Sequence, residues 1–150
     1  MVLMKISDIL NSADVLVIDD NVSKRQLLEI LSEQAAKSSN VDARTLFDIV
    51  LERENLGTTA FGKGTALPHG RVPELKATQA VFAKVKNGAD FEAADGQKVD
   101  LVFMLLSPEN SGADHLTALA AISKILKDEE LCAKLRKASD TKHIYALLTA

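Results

Sequence analysis

Apolar residues recur at two different spacings along this chain, and the spacing separates helical from extended segments. Val15 to Ile18 is a short, mostly β-branched run closed by the polar residues 19–21, which predicts a strand followed by a turn. Ser23 has Gln26 three residues later, the pattern of a capping box, and this predicts the start of a helix. The apolar stripe that supports this helix consists of Leu27, Leu28, Ile30, Leu31 and Ala35.

A second helix is predicted after Asp42, which is placed as its N-cap, with Leu46, Ile49 and Val50 facing inward. We expect this helix to end near Gly57, a residue suited to the left-handed conformation at a helix C-terminus. Residues 57–72 contain several glycines together with Pro68, and this composition predicts a Gly-rich loop.

The second half of the chain alternates between extended and helical patterns. Residues 80–85 alternate like a strand, and turns are predicted at residues 87–88 and 95–96. Residues 99–106 are nearly all apolar, as in a strand covered on both faces. After a loop at residues 107–112, three helices are predicted, opened by Asp114 or a neighbour, by Asp128 and by Asp140. Strands interspersed with helices indicate a layered α/β fold, which we expect to form a single domain over residues 1–150.

Length, charge and composition argue against several classes of protein. The chain has 150 residues, a formal net charge of −3 and no strongly basic stripe, which argues against a nucleic-acid partner. The apolar run at residues 1–6 is too short for a signal peptide, and residues 99–106 are too few to cross a bilayer. We therefore expect a cytoplasmic protein without direct membrane insertion. The single cysteine, Cys132, excludes an internal disulfide and is interpreted as a packed core thiol.

Most residues that could bind phosphate or act as a nucleophile lie in the segment 57–71. Residues 57–63 fit the phosphate-binding pattern GxxxxGK, but Gly64 stands where that pattern needs Ser or Thr, and a helix precedes the segment where a strand is required. Nucleotide binding is therefore disfavoured. His69 lies between Pro68, which restricts the backbone entering it, and Gly70, whose missing Cβ permits close approach. This arrangement suits a nucleophilic imidazole, although a loop histidine without a task remains an alternative.

Three further side chains, His115, Arg53 and His143, are candidates that also have a simpler structural interpretation. His115 shares a helix face with apolar residues, as a core histidine would, but it also lies near a helix N-terminus that favours anions such as phosphate. Arg53 is either an ordinary surface arginine or a guanidinium that matches two phosphoryl oxygens. His143 is assigned to a solvated helix face.

Two strings in the sequence resemble a known family. GTALPHGR, preceded by ERENLGTTAFGK, resembles the phosphorylation segment of the fructose/mannitol-type EIIA domains of the bacterial phosphotransferase system, and is most similar to the nitrogen-type EIIA proteins. Residues 105–110 with Asp114, His115 and Leu116 resemble the family's second histidine motif, and the terminal helices are also similar. The resemblance covers almost the whole chain.

The resemblance implies a phosphotransferase in which His69 accepts a phosphoryl group from an HPr-like phosphocarrier protein. It implies that His115 and Arg53 stabilise that group, with Pro68 and Gly70 supporting the loop, and that the fold is a mixed, mostly buried sheet flanked by helices on both faces. No metal or other cofactor is implied. Within the nitrogen type, the phosphorylation state is expected to regulate cytoplasmic partner proteins, such as a sensor kinase or a potassium-transport component.

Two alternative functions are considered, and one position departs from the pattern of the family. The chain could be the soluble EIIA subunit of a fructose/mannitol-type permease that passes phosphate to an EIIB domain. A zinc hydrolase built on His69 and His115 is a weaker alternative, because the sequence offers no obvious third ligand or carboxylate base. Thr65 stands where the family usually has an aliphatic residue, so we expect different packing or an added hydrogen bond there.

Overall fold

A computed structural model of the chain describes residues 4–150, so the first half of the apolar run at residues 1–6 lies outside the described residues. The helices are Ile6–Ile9 (α1), Lys24–Ser39 (α2), Ala43–Leu56 (α3), Ala113–Lys127 (α4), Glu129–Lys137 (α5) and Thr141–Thr149 (α6). The strands are Val15–Ile18 (β1), Ala60–Gly62 (β2), Thr65–Ala66 (β3), His69–Val72 (β4), Gln79–Ala89 (β5) and Val99–Pro108 (β6). A short 3₁₀ turn, Ser12–Asp14, precedes β1.

The strands form one mixed sheet with β6 near its centre. β5 is antiparallel to β6 on one side, and β1 extends the sheet by pairing in parallel with β5. On the other side β3 and β4 both run parallel to β6, and β2 pairs antiparallel with β3. Thr65 lies opposite Leu101 and His69 lies opposite Leu105, so β3 and β4 keep one register and form an interrupted strand. The interruption falls at Pro68, which has no N–H to give to the ladder.

Helices cover both faces of this sheet, as expected. Leu101, Phe103 and Leu105 of β6 pack with α4, α5 and α6, whereas the intervening residues Val102, Met104 and Leu106 pack with α2 and α3. All of these side chains are fully buried. The prediction that residues 99–106 form a strand covered on both faces is therefore confirmed, although β6 continues to Pro108.

Local capping signals are confirmed where the sequence carries them. Ser23 Oγ accepts a hydrogen bond from the Gln26 backbone N–H at 3.1 Å, and the Gln26 side chain accepts from the Ser23 N–H at 2.9 Å. Asp42, Asp128 and Asp140 accept equivalent bonds at the starts of α3, α5 and α6. Each such cap stabilises a helix by about 1 kcal/mol. α4 begins after Gly112, a neighbour of the predicted Asp114.

The prediction of a Gly-rich loop at residues 57–72 is wrong. The segment contains β2, β3 and β4; β2 pairs with β3, whereas β3 and β4 pair with β6, more than thirty residues later. Short strands with glycine and proline carry almost no local signal, because their stability comes from cross-strand neighbours. The GxxxxGK pattern at residues 57–63 runs from the end of α3 into β2.

Smaller predictions also need correction. Gly57 has φ 159° and ψ 146°, so it extends the chain away from α3 and does not adopt the left-handed helical conformation. Residues 87–88, predicted to form a turn, belong to β5. Gly88 has φ 69° there, and the pairing register with β6 shifts between Lys84 and Ala89. α1 and the 3₁₀ turn were not predicted. The turn at residues 95–96 is present, with the Gly96 N–H donating to the Ala93 carbonyl.

Candidate active site

His69 begins β4 and lies half-buried at the sheet face covered by α4. Its Nδ1 is 2.9 Å from the Leu67 carbonyl oxygen. A carbonyl can only accept, so Nδ1 donates and the neutral ring keeps its proton there. The lone pair of the neutral imidazole is therefore on Nε2. His69 can act as a nucleophile through Nε2, with its ring orientation held by its own backbone segment.

The backbone before His69 is fixed on both sides. The Leu67 N–H donates to the Thr59 carbonyl at 3.2 Å, and the Pro68 carbonyl accepts from the Leu105 N–H at 3.0 Å. The Leu67 side chain is buried in the core. Together with the restricted φ of proline, these contacts leave the His69 backbone little freedom.

Gly70 has a different role from the one expected. A Cβ built on Gly70 would lie 2.6 Å from Ile49 Cγ2. Ile49 belongs to α3, which covers the sheet face opposite to the His69 side chain. The space left by the missing Cβ therefore admits a helix side chain rather than an incoming electrophile, and Gly70 permits α3 to pack closely on β4.

His115 lies beside His69. The two ring centroids are 5.9 Å apart, and the ring planes are inclined by 48°. His115 is 5% exposed and its Nδ1 is 2.7 Å from Ser107 Oγ. Burial, reinforced by the positive charge of Arg71 and by His69, lowers the pKa of His115 below its ordinary value of 6.5. The ring is therefore neutral near pH 7.

Arg71 is a further candidate site residue, which the sequence patterns did not single out, and its charge acts on His115. It follows His69 by two residues on β4, so both side chains point to the same face of the sheet. Its Nη1 donates to the Glu109 carbonyl and to Ser111 Oγ, both at 3.4 Å. Ser107, which pairs with Arg71 in register, was missed as well. Recognising β4 as a strand is the signal that would have placed Arg71 beside His69.

Arg53 and His69 line the same open cavity, which has a volume of about 430 Å³. Arg53 is in the last turn of α3, and its Nη1 donates to the Gly57 carbonyl at 2.9 Å. Phe61 of β2 and Leu119 of α4 form apolar parts of the wall. The structure thus places Arg53 in the wall of the cavity that His69 lines, while the His115 ring lies next to the His69 ring.

A buried carboxylate anchors the wall of this cavity. The Glu54 side chain is 1% exposed and its Oε1 is 3.0 Å from Lys24 Nζ. Glu54 also accepts hydrogen bonds from the Thr59 N–H, at 3.1 Å, and from the Thr59 hydroxyl. Because Thr59 lines the cavity and bonds to Leu67, the ion pair between α2 and α3 fixes the segment that faces Arg53.

Three large apolar side chains are exposed at positions close in sequence to the residues of this site. Leu56 is 82% exposed, Leu116 is 65% exposed and Phe61 is 44% exposed. Leu56 follows Arg53 by one helical turn, Leu116 follows His115 directly, and Phe61 lines the cavity itself. A contiguous patch of exposed apolar side chains rimmed by polar ones is typical of a surface that contacts another protein. We call Leu56, Phe61 and Leu116 the apolar rim.

The remaining candidates lie away from His69. Cys132 is buried in α5, and burial raises the pKa of its thiol. His143 is exposed on α6, as predicted. Within residues 4–150, no three His, Cys, Asp or Glu side chains are grouped as metal ligands, and no helix is long and apolar enough to cross a bilayer. Thr65 is buried and its hydroxyl donates to the Gly62 carbonyl at 3.1 Å, so it does add a hydrogen bond.

Comparison with known proteins shows the family to which this chain belongs. Residues 8–150 match the family described as "Phosphoenolpyruvate-dependent sugar phosphotransferase system, EIIA 2", and the chain belongs to that family. EIIA domains are phosphocarrier components of the phosphotransferase system.

The similar proteins include regulatory and sugar-specific members. The chain is 48% identical over 126 residues to a nitrogen regulatory protein of Bradyrhizobium diazoefficiens, covering 84% of this chain and 82% of the relative. It is 34% identical over 127 residues to a fructose-specific EIIA component of Haloferax volcanii, covering 84% and 82%. The crystal structure of the nitrogen regulatory protein IIA-Ntr from Neisseria meningitidis superposes with a TM-score of 0.89 at 32% identity, covering 96% of this chain and 99% of that one.

Proposed function

We propose that this chain is a nitrogen-type EIIA phosphocarrier of the cytoplasm, in which Nε2 of His69 accepts a phosphoryl group from a phosphorylated HPr-like protein. The observation that carries the proposal is the hydrogen bond from His69 Nδ1 to the Leu67 carbonyl, which leaves Nε2 as the nucleophilic atom. The family match and the positions of Arg53 and His115 around His69 support it.

The transfer step balances without a metal or a nucleotide. The Nε2 lone pair forms a bond to phosphorus while the P–N bond of the donor phosphohistidine breaks and its electron pair returns to the donor ring. The donor ring keeps the proton on its other nitrogen and leaves as neutral imidazole, while the proton of His69 stays on Nδ1 and is held by the Leu67 carbonyl. Such a step requires mainly positioning and charge stabilisation, because its transition state is loose and in line.

Charge stabilisation would come from three side chains. Arg53 lines the same cavity as His69, Arg71 is two residues further along β4, and the His115 ring is next to that of His69. The two guanidinium groups can each match two phosphoryl oxygens. Burial lowers the pKa of His115 in the unphosphorylated protein, so before transfer this ring can contribute a hydrogen bond rather than a charge. Removing one such donor reduces transfer rates by about 10²–10³-fold in other enzymes that stabilise developing negative charge.

Protein partners would dock on His69 and the apolar rim, of which Phe61 lines the same cavity as His69. Phosphorylation adds nearly two negative charges at the centre of that surface, by analogy with other phosphorylated side chains. A partner that covers Leu56, Phe61 and Leu116 would then meet a charge that must be desolvated or paired. A coupling of about 1–3 kcal/mol, or roughly 5–150-fold in affinity, would follow. The nitrogen regulatory names of the relatives support this regulatory role over simple relay.

The second candidate function is that of a sugar-permease subunit that passes the phosphoryl group to an EIIB domain. The fructose-specific relative is the observation in its favour. Pull-down with the phosphorylated and unphosphorylated forms separates the two functions. A cytoplasmic regulatory protein, such as a sensor kinase or potassium-transport component, that binds one form preferentially supports regulation. Capture of only the HPr-like donor and a sugar EIIB domain that accepts the group supports the permease alternative.

The acceptor itself is tested by incubating the chain with enzyme I, an HPr-like carrier and phosphoenolpyruvate. We expect acid-labile phosphorylation of the wild type and of His143→Ala, a matched control because His143 is exposed on α6. His69→Ala should fold normally and take up no phosphoryl group. Phosphorylation of His69→Ala at the wild-type rate would overturn the proposal.

A further inference from the structure

Ser107 is a fully buried serine near the end of β6. It lies opposite Arg71 in register, and its Oγ is 2.7 Å from Nδ1 of His115. The hydroxyl therefore reaches from the sheet to the first turn of α4, beneath the ring that lies next to His69.

The direction of this hydrogen bond follows from what each atom can do. Within residues 4–150, Nδ1 of His115 is the one hydrogen-bond partner of Ser107 Oγ. A hydroxyl proton that is buried without an acceptor is costly, whereas a hydroxyl oxygen that accepts nothing is less so. The Ser107 hydroxyl therefore donates and Nδ1 accepts, which leaves the ring proton on Nε2.

The tautomer of His115 matters because the ring is neutral in the unphosphorylated protein, before a phosphoryl group arrives. Burial and the facing groups Arg71 and His69 lower the pKa of His115, so it carries a single proton near pH 7. With that proton on Nε2 the ring can donate to an anionic oxygen. With the proton on Nδ1 the ring would present a lone pair to the same oxygen and repel it.

We propose that Ser107 is a positioning residue that holds His115 as the Nε2–H tautomer, so that His115 donates a hydrogen bond to a phosphoryl oxygen on His69. The inference rests on the proposed function, since it takes His69 as the phosphorylated residue. The two histidines then carry opposite tautomers. The Leu67 carbonyl keeps Nε2 of His69 free for attack, and Ser107 keeps Nε2 of His115 protonated for donation.

The tautomer is measured directly by ¹⁵N NMR of the imidazole rings in the unphosphorylated protein. In the wild type we expect a protonated Nε2 and a hydrogen-bonded, unprotonated Nδ1 for His115. In Ser107→Ala the Nδ1 resonance should lose its hydrogen-bonded shift and the two resonances should approach one another. Ser107→Thr, which retains the hydroxyl, should restore the wild-type pattern, and Ser139→Ala is the control at an exposed serine. A proton on Nδ1 of His115 in the wild type would overturn the inference.

Two substitutions test the consequence for the phosphorylated state. In His115→Gln the side-chain amide takes the place of Nε2, whereas in His115→Asn it takes the place of Nδ1. We expect the phosphohistidine lifetime of His115→Gln to stay within about twofold of wild type, and that of His115→Asn to fall about tenfold, as in His115→Ala. Equal lifetimes for the Gln and Asn variants would contradict the inference.

The phosphocarrier function of His69 and the positioning role of Ser107 are tested separately by these experiments. If wild-type His69 takes up no phosphoryl group, the proposed function fails, while the NMR pattern of His115 still tests the role of Ser107. If His69 is phosphorylated but Ser107→Ala leaves both the His115 resonances and the phosphohistidine lifetime unchanged, the role of Ser107 fails and the phosphocarrier function stands.

Discussion

Gly70→Ala tests how closely α3 packs on the strand that carries His69. The added Cβ would lie 2.6 Å from Ile49 Cγ2, about 1 Å inside the 3.5–4.0 Å separation that carbon atoms prefer. The clash is with a side-chain branch next to the helix backbone, so Ile49 can withdraw only if α3 or β4 shifts.

The magnitude follows from two opposing effects. Overpacking of this kind costs about 1–3 kcal/mol. Gly→Ala where φ is compatible also stabilises by about 0.4–1 kcal/mol, because the unfolded chain loses freedom. We expect a net loss of about 1–2 kcal/mol, and each kcal/mol corresponds to roughly 2–4 °C in Tm for a chain of this size.

Ile49→Ala separates the clash from other effects, because it removes the Cγ2 atom. Urea denaturation of the wild type, both single variants and the double variant forms a complete cycle. In the Ile49→Ala background, Gly70→Ala should change from destabilising to neutral or slightly stabilising, a coupling of about 1–2 kcal/mol. If the losses of unfolding free energy in the two single variants simply add in the double variant, the packing argument is refuted. The missing Cβ of Gly70 would then be explained by the close approach of another group, as first expected.

Three further outcomes are expected. Glu54→Gln should lower the free energy of unfolding by about 2–3 kcal/mol in urea denaturation, because it breaks a buried ion pair whose lysine is partly exposed, and a loss below the measurement error would contradict this. The unfolded His115 ring has the ordinary pKa of 6.5 and the folded ring a lower one, so the unfolded state binds more protons. The free energy of unfolding of the wild type should therefore fall as pH drops below about 6.5, and part of that fall should be absent in His115→Gln. If the free energies of unfolding of the two proteins fall in parallel with pH, the lowered pKa of His115 is contradicted. Cys132 should react slowly with a thiol reagent in the folded protein and fast in urea, and equal rates would show that the thiol is not buried.

Local interactions explain which parts of the fold could be predicted from the sequence. Ser23 with Gln26, and the aspartates that begin α5 and α6, act within one helical turn, so their residues alone define the helix starts. β6 was predictable because a run of apolar residues buried on both faces needs no knowledge of its neighbours. β2, β3 and β4 were not, since they become strands only by pairing with β6 or with one another.

The residues of the candidate site also fall into those that the sequence indicates and those that depend on strand pairing. His69 is marked by its neighbours in sequence, and the resemblance to EIIA domains suggested Arg53 and His115. Arg71 and Ser107 were missed because their relation to His69 and His115 depends on the parallel register of β4 and β6. The role of Gly70 was misjudged for the same reason. Only the packing of α3 shows which group occupies the space beside it.

The central claim is that Nε2 of His69 carries the phosphoryl group. Phosphorus–nitrogen coupling in the NMR spectrum of ¹⁵N-labelled, phosphorylated protein identifies the atom directly. We expect one phosphohistidine, at His69, with phosphorus bonded to Nε2 and the proton retained on Nδ1. Phosphorus bonded to Nδ1 of His69, or to either nitrogen of His115, would contradict it.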